Sequence, residues 1–379
     1  MVNYGFLSPY PPTKCALATF CVALLHHLEA PRADERCGVV HVVDALSEHE
    51  LGDTAMRLVS GRPVSALRAA DALNQFDVVI VQHDFDVYGG PDGEEVLDVL
   101  AGVEKPVITV LHTVPAAPTP HKRQVLQRII NASSAVVVLS RTAALTLTDS
   151  YRIGAAHVSM IPQGALTADS SQPGPRPDGP PTVLTWGLLG PGKGIEWAIA
   201  ALGQLRDLRP APRYLIAGRT HPKVLAEQGE SYRAYLHRQA QRFGVADLVE
   251  FDPAYRAITA LTALVREADV VLLPYDSTIK ASSGVLVESI AAGRPVIATG
   301  FPQARELLAD GAGLLIPHRD PWAMAHAIRR VLTEPGLAAK MADRCAGLAP
   351  GFDWNTIAGS YRSLARALIA ARAENRVAT

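Results

Sequence analysis

The chain has 379 residues, 48% of them hydrophobic, and a formal charge of −1, which suits about two domains with sizeable cores. So even a charge balance disfavours a nucleic-acid protein, because phosphate contacts need a basic excess on one face. The four cysteines, Cys15, Cys21, Cys37 and Cys345, show no Cys-x-x-Cys or Cys/His spacing, which argues against a zinc site or a disulfide framework and for reduced thiols.

In chain order, the first segment, MVNYGFLSPYPPTKCALATFCVALLHHL, carries no basic leader, and Pro11 and Pro12 interrupt its apolar run. The expectation is a cytoplasmic protein. Residues 8–20, SPYPPTKCALATF, read as a strand–loop–helix junction, with His26 and His27 closing the helix where positive charge suits the dipole. Then come VVHVVDAL (39–46), FDVVIVQHD (76–84), PVITVLHT (106–113), AVVVLS (135–140) and HVSMIP (157–162). These near-continuous Val/Ile/Leu runs have the pattern of parallel strands buried on both faces. His83 and His112 stand at the ends of neighbouring strands, where open α/β sheets bind ligands. Residues 119–132, TPHKRQVLQRIINA, read as a helix exposing Lys122, Arg123 and Arg128. Such a face is either solvated or a peripheral membrane contact at the inner membrane face.

The stretch TADSSQPGPRPDGPP (167–181) is dense in Pro, Gly and Ser and reads as a linker. A second set of strand-like runs follows: PTVLTWG (181–187), RYLIAG (213–218), LVEFD (248–252), DVVLLPY (269–275) and PVIAT (295–299). The fold expected is α/β, two Rossmann-like doubly wound domains facing a cleft. They would occupy residues 1–166 and 182–350, joined by 167–181, with a C-terminal helix in 351–379 packing back on the first domain.

WGLLGPGKGIEWAIAAL (186–202) follows a strand and opens a helix, so Gly187, Gly190, Gly192, Lys193 and Gly194 read as an anion site at a helix N-terminus. It approaches a Walker A loop, but Gly194 stands where that loop needs a Ser or Thr hydroxyl for magnesium, which counts against an ATPase. IAGRTHPKV (216–224) either frames a base or phosphate or is a plain loop. In SSGVLVESIAAGRPVIATG (282–300), Ser282 or Ser283 can cap a helix that Gly293 ends. The amides of Ser283, Gly284 and Val285 favour phosphate oxygens, and Glu288, one turn deeper, suits the vicinal hydroxyls of a ribose. The plainer alternative makes Glu288 the polar edge of a buried helix.

Together and in this order, SPYPPTKCALATF, GLLGPGKGIEWAIAAL and SSGVLVESIAAGRPVIAT resemble the retaining nucleotide-sugar glycosyltransferases of family 4, which have the GT-B fold. The resemblance implies a UDP- or GDP-sugar donor held mainly by the second domain, a glycan, lipid-linked or polyol acceptor held mainly by the first, and catalysis without a metal or other cofactor. By motif, Glu288 matches the family's ribose ligand. Ser283, Gly284 and Val285 match the backbone cradling the diphosphate, Lys193 the lysine that neutralises it, and His112 a histidine near the donor sugar and β-phosphate. Gly187 opens the lysine loop, while Ala16, His83 and Asp84 fall on the acceptor or sugar side. GLLGPGKG with SSG resembles a subgroup often labelled mannosyltransferases. Three departures stand out. Lys280 occupies the position of the family's first glutamate, Leu188 that of an arginine in the lysine loop, and Cys15-Ala16 a usual glycine. Lys280 is the candidate to replace the missing cation in donor binding. Two other readings fit the same architecture: a nucleotide-sugar epimerase using Asp84 and Asp86, and a nucleotide-binding protein without catalysis.

Overall fold

The computed structural model describes residues 1–29, 35–43, 56–167, 179–254, 256–276 and 283–377. The chain divides into two compact units, Met1–Gly164 with Trp354–Thr379, and Ala165–Asp353. Each is built on its own parallel sheet.

In the first unit the strands are β1 (Tyr4–Ser8), β2 (Cys37–Val43), β3 (Arg57–Val59), β4 (Val78–His83), β5 (Val107–Leu111), β6 (Ala135–Val138) and β7 (Val158–Met160). They pair in the order β3-β2-β1-β4-β5-β6-β7, all parallel. β1, β4, β5 and β6 are buried along their whole length, as aliphatic strands covered by helices on both faces must be. β1 and β2 each carry a glycine for a packing reason. Gly5 and Gly38 are register partners on the two strands, and a Cβ on either would lie 2.7 Å and 2.3 Å from the ring of Phe76.

The helix Ala16–Glu29 follows β1 and carries His26 and His27 in its last turn. Against it packs the long helix Trp354–Val377. Trp354 meets Phe20 edge-on at 5.2 Å, and the buried carboxylate of Glu35 is held by Arg362 at 3.2 Å and Arg366 at 3.3 Å. The helix Pro120–Ala132 is capped by Thr119 and buries Val125, Leu126, Ile129 and Ile130. Of its three basic residues, Lys122 pairs with Asp92 at 3.7 Å. Arg123 covers the Tyr151 ring at 4.7 Å and donates to the Ser150 carbonyl. The open basic face expected for this helix is therefore reduced to Arg128, the other two cations being drawn onto neighbouring loops. Among the described residues no helix is long and apolar enough to cross a membrane.

The second unit has β8 (Thr182–Trp186), β9 (Arg213–Ala217), β10 (Val249–Asp252), β11 (Val270–Leu273), β12 (Val296–Thr299) and β13 (Gly313–Ile316). Their order is β10-β9-β8-β11-β12-β13, again parallel throughout. One face is sealed by Ile195, Ile199 and Leu202 with Met324 and Ile328, the other by Leu286, Ile290 and Phe301. Strand order reverses between β1 and β4 in the first unit and between β8 and β11 in the second. In sheets of this kind, ligands bind outside the carboxyl ends of the strands at that reversal.

Candidate active site

At the reversal in the second unit, β8 delivers the chain to Gly187, at φ 116°. The loop ends at Gly194, which caps the helix Ile195–Leu202 in the left-handed conformation at φ 67°. A Cβ at Gly194 would lie 1.8 Å from the Pro274 carbonyl oxygen, so the hydroxyl residue of an NTPase loop has no room there. Just before it, the Lys193 ammonium sits 4.7 Å over the ring of Tyr275. Burial pulls its pKa down to about 8, with no charged partner contributing. A cation partly withdrawn from water and set over an aromatic face is poised for an incoming anion.

Tyr275, two residues past β11, ties the surrounding loops together. Its carbonyl accepts from the Thr299 hydroxyl at 2.7 Å and from Nδ1 of His318 at 2.8 Å, and its own hydroxyl lies 3.4 Å from that of Ser283. Ser283 caps the helix Gly284–Ala291 by accepting from the Leu286 amide. Its own amide donates to Oε1 of Gln303 at 2.5 Å, so that N–H, expected to face a phosphate, is already taken. None of the described residues accepts from the Gly284 or Val285 amides, as the first turn of a helix leaves them. Val285 adjoins Gly187, its Cγ2 being 3.9 Å from where a Cβ on that glycine would stand.

Glu288, one turn further on, takes a hydrogen bond from Nε1 of Trp186 at 3.3 Å. It shares a small pocket with Leu166, Ile258, Leu261, Thr262 and Val265. Burial among these apolar groups lifts its carboxyl to about 7, against the lowering effect of the indole N–H. The loop 216–224 is bound to the lysine loop: Leu189 donates to the Arg219 carbonyl at 2.7 Å and accepts from the His221 amide at 2.8 Å. The second unit thus brings together Gly187, Lys193, Ser283, Gly284, Val285 and Glu288. Lys280 and Ser282 lie outside the described residues.

In the first unit, the His112 amide donates to the His83 carbonyl at 3.0 Å. The His112 ring is partly buried, edge-on to Phe20 at 5.1 Å, and its Nε2 meets Oε1 of Gln82 at 2.5 Å. Burial, aided by neighbouring His83, holds its pKa down at about 3, so the ring is neutral at physiological pH. His83 is fully enclosed, stacked against Tyr88 and edge-on to Phe85, with both ring nitrogens lacking a partner among the described residues. Desolvation lowers it to about 4. Asp84 accepts from the Phe85 amide at 2.8 Å and the Thr113 hydroxyl at 3.0 Å, which spends on local structure one of the two carboxylates an epimerase would use. Ala16 is exposed at the first turn of its helix.

Residues 167–346 match the family described as Glycosyl transferases group 1. The match covers the second unit with its lysine loop and its Ser283 helix. Glycogen synthase of Mycobacterium tuberculosis is 30% identical over 235 residues, 61% of this chain and 53% of that protein. Phosphatidyl-myo-inositol mannosyltransferase of Mycolicibacterium smegmatis is 33% identical over 203 residues, 52% of this chain and 48% of that one. The chain is thus matched over about half the length of these relatives. Among solved structures, Anabaena HepE in complex with UDP and glucose superposes with a TM-score of 0.73 at 18% identity, covering 97% of this chain and 100% of that one. The α/β fold of two Rossmann-like domains expected from the strand pattern is therefore the one found.

The residues missed by sequence reasoning are those supporting the site. Trp186, Tyr275, Gln303 and His318 come from four separate segments, and each reaches its partner at the site only when the sheet assembles. Gln82 did leave a trace, as a polar residue inside the aliphatic run VVIVQH.

Proposed function

We propose that this chain is a retaining, metal-independent glycosyltransferase of the family 4 type. It would move a hexosyl group from a UDP- or GDP-sugar to a glycan, lipid-linked or polyol acceptor. The observation that carries the reading is the arrangement in the second unit. A half-buried ammonium without a counter-charge among the described residues, two helix amides without acceptors there and a carboxyl one turn away stand at the strand-order reversal. That set suits a diphosphate with its attached ribose. Negative charge grows on the departing diphosphate, and Lys193 with the Gly284 and Val285 amides stabilises it. Glu288 accepts the ribose hydroxyls. The acceptor oxygen bonds the anomeric carbon on the face the diphosphate leaves, and its proton passes to the departing phosphate oxygen, so no protein nucleophile is required.

The names of the matched relatives, a glycogen synthase and a mannosyltransferase, support sugar transfer, and the UDP and glucose held in complex by Anabaena HepE support a nucleotide-sugar donor. The test is thermal stabilisation by a panel of UDP- and GDP-sugars, since a ligand of the folded state raises the melting temperature. Labelled donor is then incubated with acceptors, and the anomeric configuration of the product is read by NMR. Saturable donor binding with no product over the whole acceptor panel would make the chain a binder, and an inverted anomer would refute retention.

A further inference from the structure

The pairing of β8 with β9 runs at a constant offset: Thr182 faces Arg213 and Trp186 faces Ala217. Past the strand ends Leu189 bridges Thr220 at that same offset, again in parallel, so the ladder carries on into the two loops and makes Leu188 and Arg219 register partners. Side chains alternate between the faces along such a ladder. Leu189 packs into the core built with the helix Ile195–Leu202, and Thr220, buried with it, gives its hydroxyl to Glu230. One position earlier, Leu188 and Arg219 fall on the opposite face. That face carries Trp186 and Leu286, and with them the helix Gly284–Ala291 and Glu288. The two loops also touch through their backbones, since a Cβ on Gly218 would lie 1.9 Å from the Gly187 carbonyl oxygen.

Arg219 is exposed, and its side chain has no hydrogen bond, ion pair or ring contact among the described residues. The nearest charged side chains of its own stretch are engaged elsewhere, Glu230 with Thr220 and Arg233, and Arg233 with the Gly218 carbonyl at 2.7 Å. A guanidinium without a partner thus stands at the carboxyl end of β9, beside the lysine loop and on the face of the Gly284 and Val285 amides. We propose that Arg219 is the second cation of the nucleotide site, reaching the phosphates of a nucleoside diphosphate from the loop after β9 as Lys193 does from the loop after β8. This deepens the proposed function and rests on it. The planar fork of an arginine matches a pair of phosphate oxygens and keeps its charge at every working pH.

The test is calorimetric titration of the full chain with UDP and with GDP. Arg219→Met should weaken both by about tenfold, the scale of a lost charge-assisted hydrogen bond, and by the same factor for each, because the contact is with phosphate. Arg219→Lys should restore most of the affinity. Arg242→Met, which removes an equal charge from the exposed end of the helix Ser231–Arg242, should bind as the wild type does, and the melting temperatures of all three variants should match it. Wild-type affinity in Arg219→Met overturns the inference and leaves the glycosyltransferase reading standing. An equal loss in Arg242→Met reduces the effect to net charge and overturns it too, and a loss confined to one of the two nucleotides moves Arg219 from the phosphates to the base. Binding of neither nucleotide by the wild type would refute the proposed function, and the inference with it.

Discussion

Lys193→Arg is the perturbation that most directly examines the diphosphate site. Burial lowers the lysine from 10.5 to about 8, a displacement of about 2.5 units that corresponds to about 3 kcal/mol against the charged form. Glu288 stands at about 7. If donor binding requires Glu288 ionised and Lys193 protonated, both conditions hold in about 60% of molecules at pH 7.5 and in about a tenth at pH 6 or pH 9. Association constants for a sugar nucleotide, whose diphosphate diester stays ionised across this range, should therefore peak near pH 7.5 and fall about sixfold on either side, as free-protein groups impose a bell. Calorimetric titration from pH 6 to 9 gives the profile. Arginine keeps its charge throughout, so Lys193→Arg should lose the basic limb and retain the acidic one. A basic limb that persists in Lys193→Arg refutes the assignment. The same burial has a stability signature. The unfolded chain holds the lysine proton more tightly between pH 8 and about 10.5, so the ligand-free protein gains stability as pH rises through that window. Lys193→Met should abolish this gain and leave the melting temperature at neutral pH equal or higher while donor affinity drops.

Trp186→Phe removes the N–H that favours the Glu288 carboxylate, so the acidic limb should move to higher pH; an unshifted limb would break the link between the two residues. Gly194→Ala combines a left-handed backbone with a Cβ against the Pro274 carbonyl. It should cost about 3 kcal/mol or more from backbone strain and overpacking together, and a wild-type urea midpoint would contradict it. Arg362→Ala takes one of two cations from the enclosed Glu35 carboxylate and should cost about 3 kcal/mol. Glu35→Gln in that background should restore part of the loss, and urea unfolding checks both.

The paired strands of both sheets announced themselves as uninterrupted aliphatic runs, because a strand covered on both faces has no polar side to write into the sequence. β1, β3 and β13 did not. β1 contains Gly5, whose missing side chain is where Phe76 packs, β3 is three residues long, and β13 at the sheet edge opens on a glycine and leaves Leu315 exposed. The lysine loop and the Ser283 cap were legible because turn chemistry is local. The support for them was not: Trp186 reaches Glu288 across 102 positions, and no periodicity encodes such a meeting. The same holds for the Ser283 amide. Its diversion to Gln303 depends on the helix Pro302–Leu308, which no motif in the Ser283 stretch reveals.

Because residues 354–377 complete the unit that residues 1–164 begin, the second unit is an uninterrupted insertion within the first. Synthesis runs through all of Ala165–Asp353 before the helix Trp354–Val377 that sheathes the opening Rossmann layer is made. Vectorial synthesis therefore favours maturation of the inserted body while its host still waits with apolar surface uncovered. For the same reason a break in translation beyond Asp353 would leave the later-made body whole and the earlier-made one unfinished.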